Sequence, residues 1–270
     1  MEKLTFQKIA EERNQAHSLR KRLYEELEAI LRKPVVAFFT SFVYPVGIED
    51  SDANMLEEVL QRLDLSSGLV VLINSPGGSA LAAERIINIF RSYSGKKQYE
   101  VIVPDKAKSA ATMICLGASK IIMSPTSELG AVDPQKVEEE DKRRKWFSVY
   151  NIISSYDRLF QEAINLGEKQ RIEPYLQQLS FYDPREIEEL RSALSLSEDI
   201  TIRALKTGML GNLSEEEIKR KIQIFLVPEK RVKTHGRPIF GEEAKNIGLN
   251  VEIINPVSYT HLTLPTTERV

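Results

Sequence analysis

Two short stretches hold residue types able to carry acyl-transfer chemistry: Asn74-Ser75-Pro76-Gly77-Gly78-Ser79 and Lys108-Ser109-Ala110-Ala111. Each follows an apolar run with strand character, Leu69-Val70-Val71-Leu72-Ile73 before the first and Val101-Ile102-Val103-Pro104 before the second. Pro76-Gly77-Gly78 is a strong turn signal that lets backbone amides approach a ligand closely. Beyond it Ala82, Ala83, Ile86, Ile87 and Phe90 recur at helical spacing, with Ser79 as the cap. The Gly77 and Gly78 amides therefore fall in a strand-to-helix turn whose unpaired donors suit an anionic oxygen. Ser109 opens a second, apolar helical run that ends at Gly117. There it lies in the positive end of the helix field, where the Ala110 amide can face the same oxygen as that of Gly77. Taken singly, both stretches have plainer readings: Pro-Gly-Gly also describes a tight turn, and serine is a good ordinary N-cap.

A nucleophilic serine needs a base to take its proton and usually a carboxylate to orient that base. The chain has three histidines. His17 falls in a charged helical segment that faces solvent, and His261 falls in a C-terminal tail of doubtful origin. That leaves His235, in Lys233-Thr234-His235-Gly236-Arg237-Pro238, ahead of Gly241-Glu242-Glu243-Ala244. Asp133, in Ala131-Val132-Asp133-Pro134-Gln135, follows Ser109 by 24 positions. On their own residues these two also read as an Asp-Pro turn and a loop histidine.

The order of these motifs, with Lys120-Ile121-Ile122-Met123-Ser124-Pro125 as a further strand and Leu129-Gly130-Ala131-Val132 as the next loop, resembles the Clp protease and crotonase superfamily. Ser75-Pro76-Gly77-Gly78-Ser79 is similar to the oxyanion motif of Clp-type proteolytic subunits and of signal peptide peptidase A, and the run from Ser109 to Ile121 to their nucleophile helix. The chain is identified by resemblance, over roughly Pro34 to Leu249, as a member of the serine dehydrogenase proteinase family. The resemblance implies an α/β fold, a Clp/crotonase-type spiral of repeated strand-strand-helix units, with an N-terminal helix and additional covering helices. It implies Ser109 as nucleophile, His235 as base, Asp133 as orienting carboxylate, an oxyanion hole from the Gly77 and Ala110 amides, and substrate contacts at Gly78 and Ser79. Clp-type proteases place a histidine near the position of Asp133 and an aspartate near that of His235. The two supporting roles are thus exchanged along the chain, which a triad defined by geometry permits.

The favoured function is a serine peptidase acting on peptides or unfolded protein segments. One alternative is a Ser-Lys dyad using Lys136, Lys142 or Lys145. Those lysines lie in a densely charged segment from Lys136 to Lys145, where solvation keeps an ammonium protonated. A crotonase-like acyl-CoA enzyme would use the same cradle without a serine nucleophile, and a non-catalytic scaffold would keep the fold without a triad. No cofactor is expected: there is no Cys/His cluster with metal spacing, no phosphate loop, and nothing resembling a pyridoxal-phosphate site to support serine deamination. Whether a separate ATPase or a membrane protein delivers substrate is left open.

Composition bounds the rest. The 270 residues are 42% hydrophobic with a formal charge of −2, enough for one soluble domain with a sizeable core and without an electrostatic case for nucleic acid. Cys115 is the one cysteine, which excludes an internal disulfide and agrees with a reducing compartment. The charged start from Met1 to Lys33 is no signal peptide, and the apolar run from Pro34 to Val46 is too short to span a bilayer, so a cytoplasmic location is expected. The division expected is a helical segment over 1–33, a peptidase domain over 34–256 and a tail over 257–270. The tail resembles the translation of a sequencing-library adapter, so the natural sequence is expected to depart near Pro256. The N-terminal helix has a partial apolar stripe (Leu4, Ile9, Leu19, Leu23, Leu27, Ile30, Leu31) that fits the domain or a neighbouring subunit. From Phe147 to Leu205 the pattern is helical, broken near Gly167 and at Tyr182-Asp183-Pro184. Such covering helices imply a homo-oligomer, a trimer or higher.

Overall fold

A computed structural model describes residues 21–44, 46–95, 98–140, 143–166, 171–226 and 236–254. Its centre is a five-stranded sheet of β1 (Val35–Phe39), β2 (Leu69–Asn74), β3 (Tyr99–Val103), β5 (Lys120–Met123) and β10 (Val251–Ile253), in the order β1-β2-β3-β5-β10 and parallel throughout. β2 is rich in Leu, Val and Ile because both its faces are covered. Val71 and Ile73 enter the main core with Val101, Val103, Ile121 and Met123, while Val70 and Leu72 join Ile102 and Ile122 on the other face. That second face is closed by the first helix, α1, described over 21–31, whose Leu27 is buried against it. Leu27 and Leu31 of α1 therefore serve the sheet of their own chain, with Tyr24 beside them, while Ile30 is exposed. Helices α2 (Asp50–Leu60), α3 (Ala80–Tyr93) and α4 (Ala110–Leu116) cover the main core.

A second, smaller layer follows the strand ends. β4 (Lys106–Ala107) runs parallel to β6 (Glu128–Leu129), and β9 (Ile239–Phe240) is antiparallel to β6. Single bridges join Ser75 to Ala107 and Ile48 to Gly78, extending the layer across the mouth of β2. The segment read from sequence as solvated charge is a hairpin, β7 (Gln135–Glu140) with β8 (Arg143–Ser148), in which Glu138 faces Lys145.

The covering helices are α5 (Val149–Ile164), α6 (Glu173–Leu179) and α7 (Pro184–Lys206), followed by α8 (Glu215–Lys221), α9 (Gln223–Leu226) and α10 (Gly241–Asn246). The expected break at Asp183-Pro184 is an N-terminus: the Asp183 carboxylate accepts the Arg185 amide, and Pro184 takes the first helical position, where its missing N–H costs nothing. Arg91 ties the layers together. Its guanidinium donates to Gly117 O at 2.6 Å and Ala204 O at 2.7 Å, gathering carbonyls near the C-terminal ends of α4 and α7. No described helix is long and apolar enough to cross a membrane. The expected tail over 257–270 lies outside the described residues.

Candidate active site

The cradle begins where β2 runs out. Ser75 is paired on one side, its N–H donating to Lys106 O at 2.9 Å and its carbonyl accepting from Lys108 N at 3.0 Å. Two residues on, the chain is stitched to the other side: Ile48 N donates to Gly77 O at 2.7 Å and Ser79 N to Ile48 O at 2.8 Å. Only glycines fit between these seams. A Cβ on Gly77 would lie 2.6 Å from Lys108 O and from Ser109 Cβ, and 3.0 Å from Ala110 N. A Cβ on Gly78 would lie 2.2 Å from Ile48 N. Gly77 therefore packs directly against Ser109 and the first amide of α4.

Ser109 and Ser79 occupy equivalent positions, each preceding a helix, yet they differ. Ser79 has φ −69° and ψ 126°, and its hydroxyl accepts the Ala82 amide, so it is an ordinary cap. Ser109 has φ 50° and ψ −121°, and its hydroxyl makes no capping bond. A non-glycine residue in this region costs about 1–3 kcal/mol and persists only where its neighbours fix it. The strained strand-to-helix turn is a recurrent device for lifting a serine Oγ clear of the backbone. The Ala110 N–H finds no acceptor among the described residues. The Gly77 N–H donates at 3.1 Å to Ser75 Oγ, which lies 2.6 Å from Thr40 Oγ1. This hydroxyl pair behind the cradle, Ser75 buried and Thr40 half-buried, was not read from sequence.

Gly77, Gly78, Ser109 and Ala110 line one cavity of about 570 Å³. Its rim is apolar and exposed: Phe42, Val43, Tyr44 and Val46 from the loop after β1, and Trp146 from β8. Ser79 does not line it. The rim too was missed, although Trp146, the one tryptophan, stands among charges in a way that marks it out.

Asp133 is 1% exposed and accepts the Ser148 hydroxyl at Oδ2, 2.8 Å away. It sits behind the main cavity, whose wall includes its neighbours Val132 and Pro134, and lines a smaller space of about 80 Å³ with Tyr150 and Ser197. Ser197 borders both spaces. His235 lies outside the described residues, as do His17 and His261. Among the rival lysines, Lys136 is paired with Glu138 at 2.7 Å and Glu186 at 2.5 Å. Hydrogen bonding to Glu138, and then to Glu186, raises its pKa above the ordinary lysine value, the wrong direction for a base. Lys142 lies outside the described residues, and Lys145 is exposed. Cys115 is fully buried, and burial pushes its thiol pKa up, so it is no nucleophile.

Comparison with known proteins gives the chain a family. The model of the ClpP-like SDH-type serine proteinase family matches residues 3–141, a span that contains the cradle, Ser109 and Asp133. An uncharacterized protein of Methanocaldococcus jannaschii is 29% identical over 227 residues, 83% of this chain and 66% of the relative. A second uncharacterized protein of the same organism is 34% identical over 110 residues, 39% of this chain and 35% of the relative. The chain thus spans less than two thirds of the length of either.

Proposed function

This chain belongs to the ClpP-like SDH-type serine proteinase family, and from that premise we propose that it hydrolyses peptide bonds in peptides or unfolded protein segments, with Ser109 as nucleophile, His235 as base and Asp133 as orienting carboxylate. The observation that carries the reading is the strained, non-capping Ser109 packed against Gly77 in a cavity with an apolar rim.

The Ser109 hydroxyl attacks the scissile carbonyl carbon and gives its proton to the His235 imidazole, while the carbonyl π pair moves onto oxygen. The Ala110 amide, free of a described acceptor, and the Gly77 amide, turned from Ser75 Oγ, stabilise that oxyanion. Collapse expels the amine, which takes the proton from imidazolium, and leaves an ester on Ser109. Water then repeats the sequence and releases the acid.

Support for the Asp133–His235 partnership comes from the small sheet. β6 and β9 pair Glu128 with Phe240 and Leu129 with Ile239. In sequence Asp133 follows Leu129 by four positions and His235 precedes Ile239 by four, so both belong to the connections at the same end of this pair. Support for spiral strand-strand-helix units comes from the short layer of β4 and β6, each following a strand of the main sheet. A domain over 34–256 accords with one core cluster that runs from Val36 to Val251. We place the protein in the cytoplasm on its lone buried thiol. A trimer or higher assembly would cover Phe160, Ile164, Leu176 and Phe181, all exposed on or beside α5 and α6.

The test is fluorophosphonate labelling with site mapping by mass spectrometry on the wild type and on Ser109→Ala, His235→Ala and Asp133→Asn. Labelling at Ser109 that vanishes without His235 and slows without Asp133 is the expected result. Labelling indifferent to His235 would move the base elsewhere, and no labelling would refute the peptidase.

A further inference from the structure

Ser148 joins the hairpin to α5. It ends β8 opposite Gln135, and the amide after it, Val149 N–H, donates to Pro134 O at 3.0 Å. These contacts fold the chain back onto the residues just past Asp133. As the N-cap of α5, Ser148 accepts the Asn151 amide at 3.5 Å, the limit of a hydrogen bond. Its better bond runs the other way, from its hydroxyl to Asp133 Oδ2 at 2.8 Å. A capping serine that leaves its proton to water would serve the helix equally well. Here the proton is aimed at a carboxylate that is 1% exposed, where a charge-assisted bond is at its strongest.

We propose that Ser148 is a positioning residue for catalysis: its hydroxyl anchors Oδ2 of Asp133 and so fixes the plane of the carboxylate that orients the base. The inference rests on the role of Asp133 given above. A carboxylate free to turn about its Cβ–Cγ bond orients an imidazole poorly, and a donor fixed on one oxygen removes that freedom. The hairpin is then part of the catalytic frame. Closing it in the observed register is what carries a hydroxyl from 15 residues downstream to the triad.

The experiment is the rate of labelling by a fluorophosphonate probe, resolved into the limiting rate and the probe affinity, on the full chain. Ser148→Ala is expected to lower the limiting rate about tenfold to a hundredfold, the range of a lost hydrogen bond to a charged group. Probe affinity stays within twofold. Ser148→Thr restores the rate to within a few-fold, and Ser148→Ala adds nothing in an Asp133→Asn background. Should the alanine variant unfold, Ser148→Gly replaces it, because glycine is tolerated as a cap and lacks the hydroxyl. Slow labelling of Asp133→Asn beside wild-type labelling of the Ser148 variants would overturn the inference alone. Wild-type labelling of Asp133→Asn would overturn the reading of Asp133 and the inference with it.

Discussion

Replacing Gly77 by alanine separates two costs that the structure sets apart. The first is conformational: Gly77 has φ +103°, which an L residue adopts at about 1–3 kcal/mol. The second is contact: the new Cβ would stand 2.6 Å from Lys108 O and Ser109 Cβ, about 1 Å inside normal separation, and backbone cannot swing aside as a flexible side chain does. Overpacking of this kind costs about another 1–3 kcal/mol. Gly68 isolates the first cost, because its φ is +113° while a Cβ there meets nothing nearer than Lys33 Cδ at 3.6 Å. Gly77→Ala should therefore lose about 2–6 kcal/mol in urea denaturation, and Gly68→Ala only the smaller share. The two also part in function: a shift of about 1 Å between cradle and nucleophile is worth about a hundredfold in rate. Fluorophosphonate labelling of Gly77→Ala should fall by that order, while Gly68→Ala labels as the wild type does. Equal denaturation midpoints for the two variants, with wild-type labelling of both, would refute the packing of Gly77 against Ser109.

The remaining predictions draw on other contacts. Ser109→Gly and Ser109→Ala should both abolish labelling, but the glycine variant should be the more stable by about 1 kcal/mol by thermal denaturation, since relief at φ 50° exceeds the entropy cost of glycine. Lys136→Met should label normally at pH 7–8. Because pairing with Glu138 and Glu186 raises the folded pKa of Lys136, its stabilisation is complete below the unfolded lysine value of about 10.4 and is lost as pH rises through the folded value. Denaturation followed into the alkaline range should accordingly show a flatter profile in the methionine variant. Thr112→Val strips a buried hydroxyl that donates to Ala107 O at 2.7 Å and accepts Gly130 N at 3.0 Å. With both backbone groups left unmet, denaturation should show a loss of about 1–3 kcal/mol. Trp146→Ala should weaken the affinity of an apolar fluorophosphonate several-fold, with stability within about 0.5 kcal/mol of wild type because the side chain is exposed.

Strands β2, β3 and β5 are legible because a parallel sheet covered on both faces writes itself as unbroken apolar runs. The helix break at Asp183-Pro184 is legible because cap and proline chemistry is local. The hairpin is not: its strands, QKVEEE and RRKWFS, satisfy no apolar alternation, so their register is visible only in the folded chain. Ser148 was invisible for a related reason, since its contact with Asp133 exists only once that register closes. Asp133 and His235 drew their roles from resemblance, for nothing in an Asp-Pro or a His-Gly sequence announces a triad. The apolar stripe of α1 fitted either its own sheet or a neighbour's surface, and the choice was made by an open sheet face that only the folded chain reveals.

The comparison of Ser79 with Ser109 bears most directly on whether the fold is an enzyme or a scaffold. Both serines follow a strand and precede a helix, and a scaffold would gain by letting both relax into ordinary caps. Ser79 has done so. Around Ser109 the chain is instead bound on every side: Lys108 N to Ser75 O, Lys108 O to Ala111 N, Lys108 Nζ to Leu129 O at 3.1 Å and to Glu128 at 2.7 Å, and Thr112 across to Ala107 and Gly130. These bonds hold one residue at φ 50° with its hydroxyl released from capping. Strain maintained by so many surrounding bonds is the expected cost of a group whose position matters more than its own stability. A hydroxyl released from capping, beside an Ala110 amide with no acceptor among the described residues, is what that cost secures.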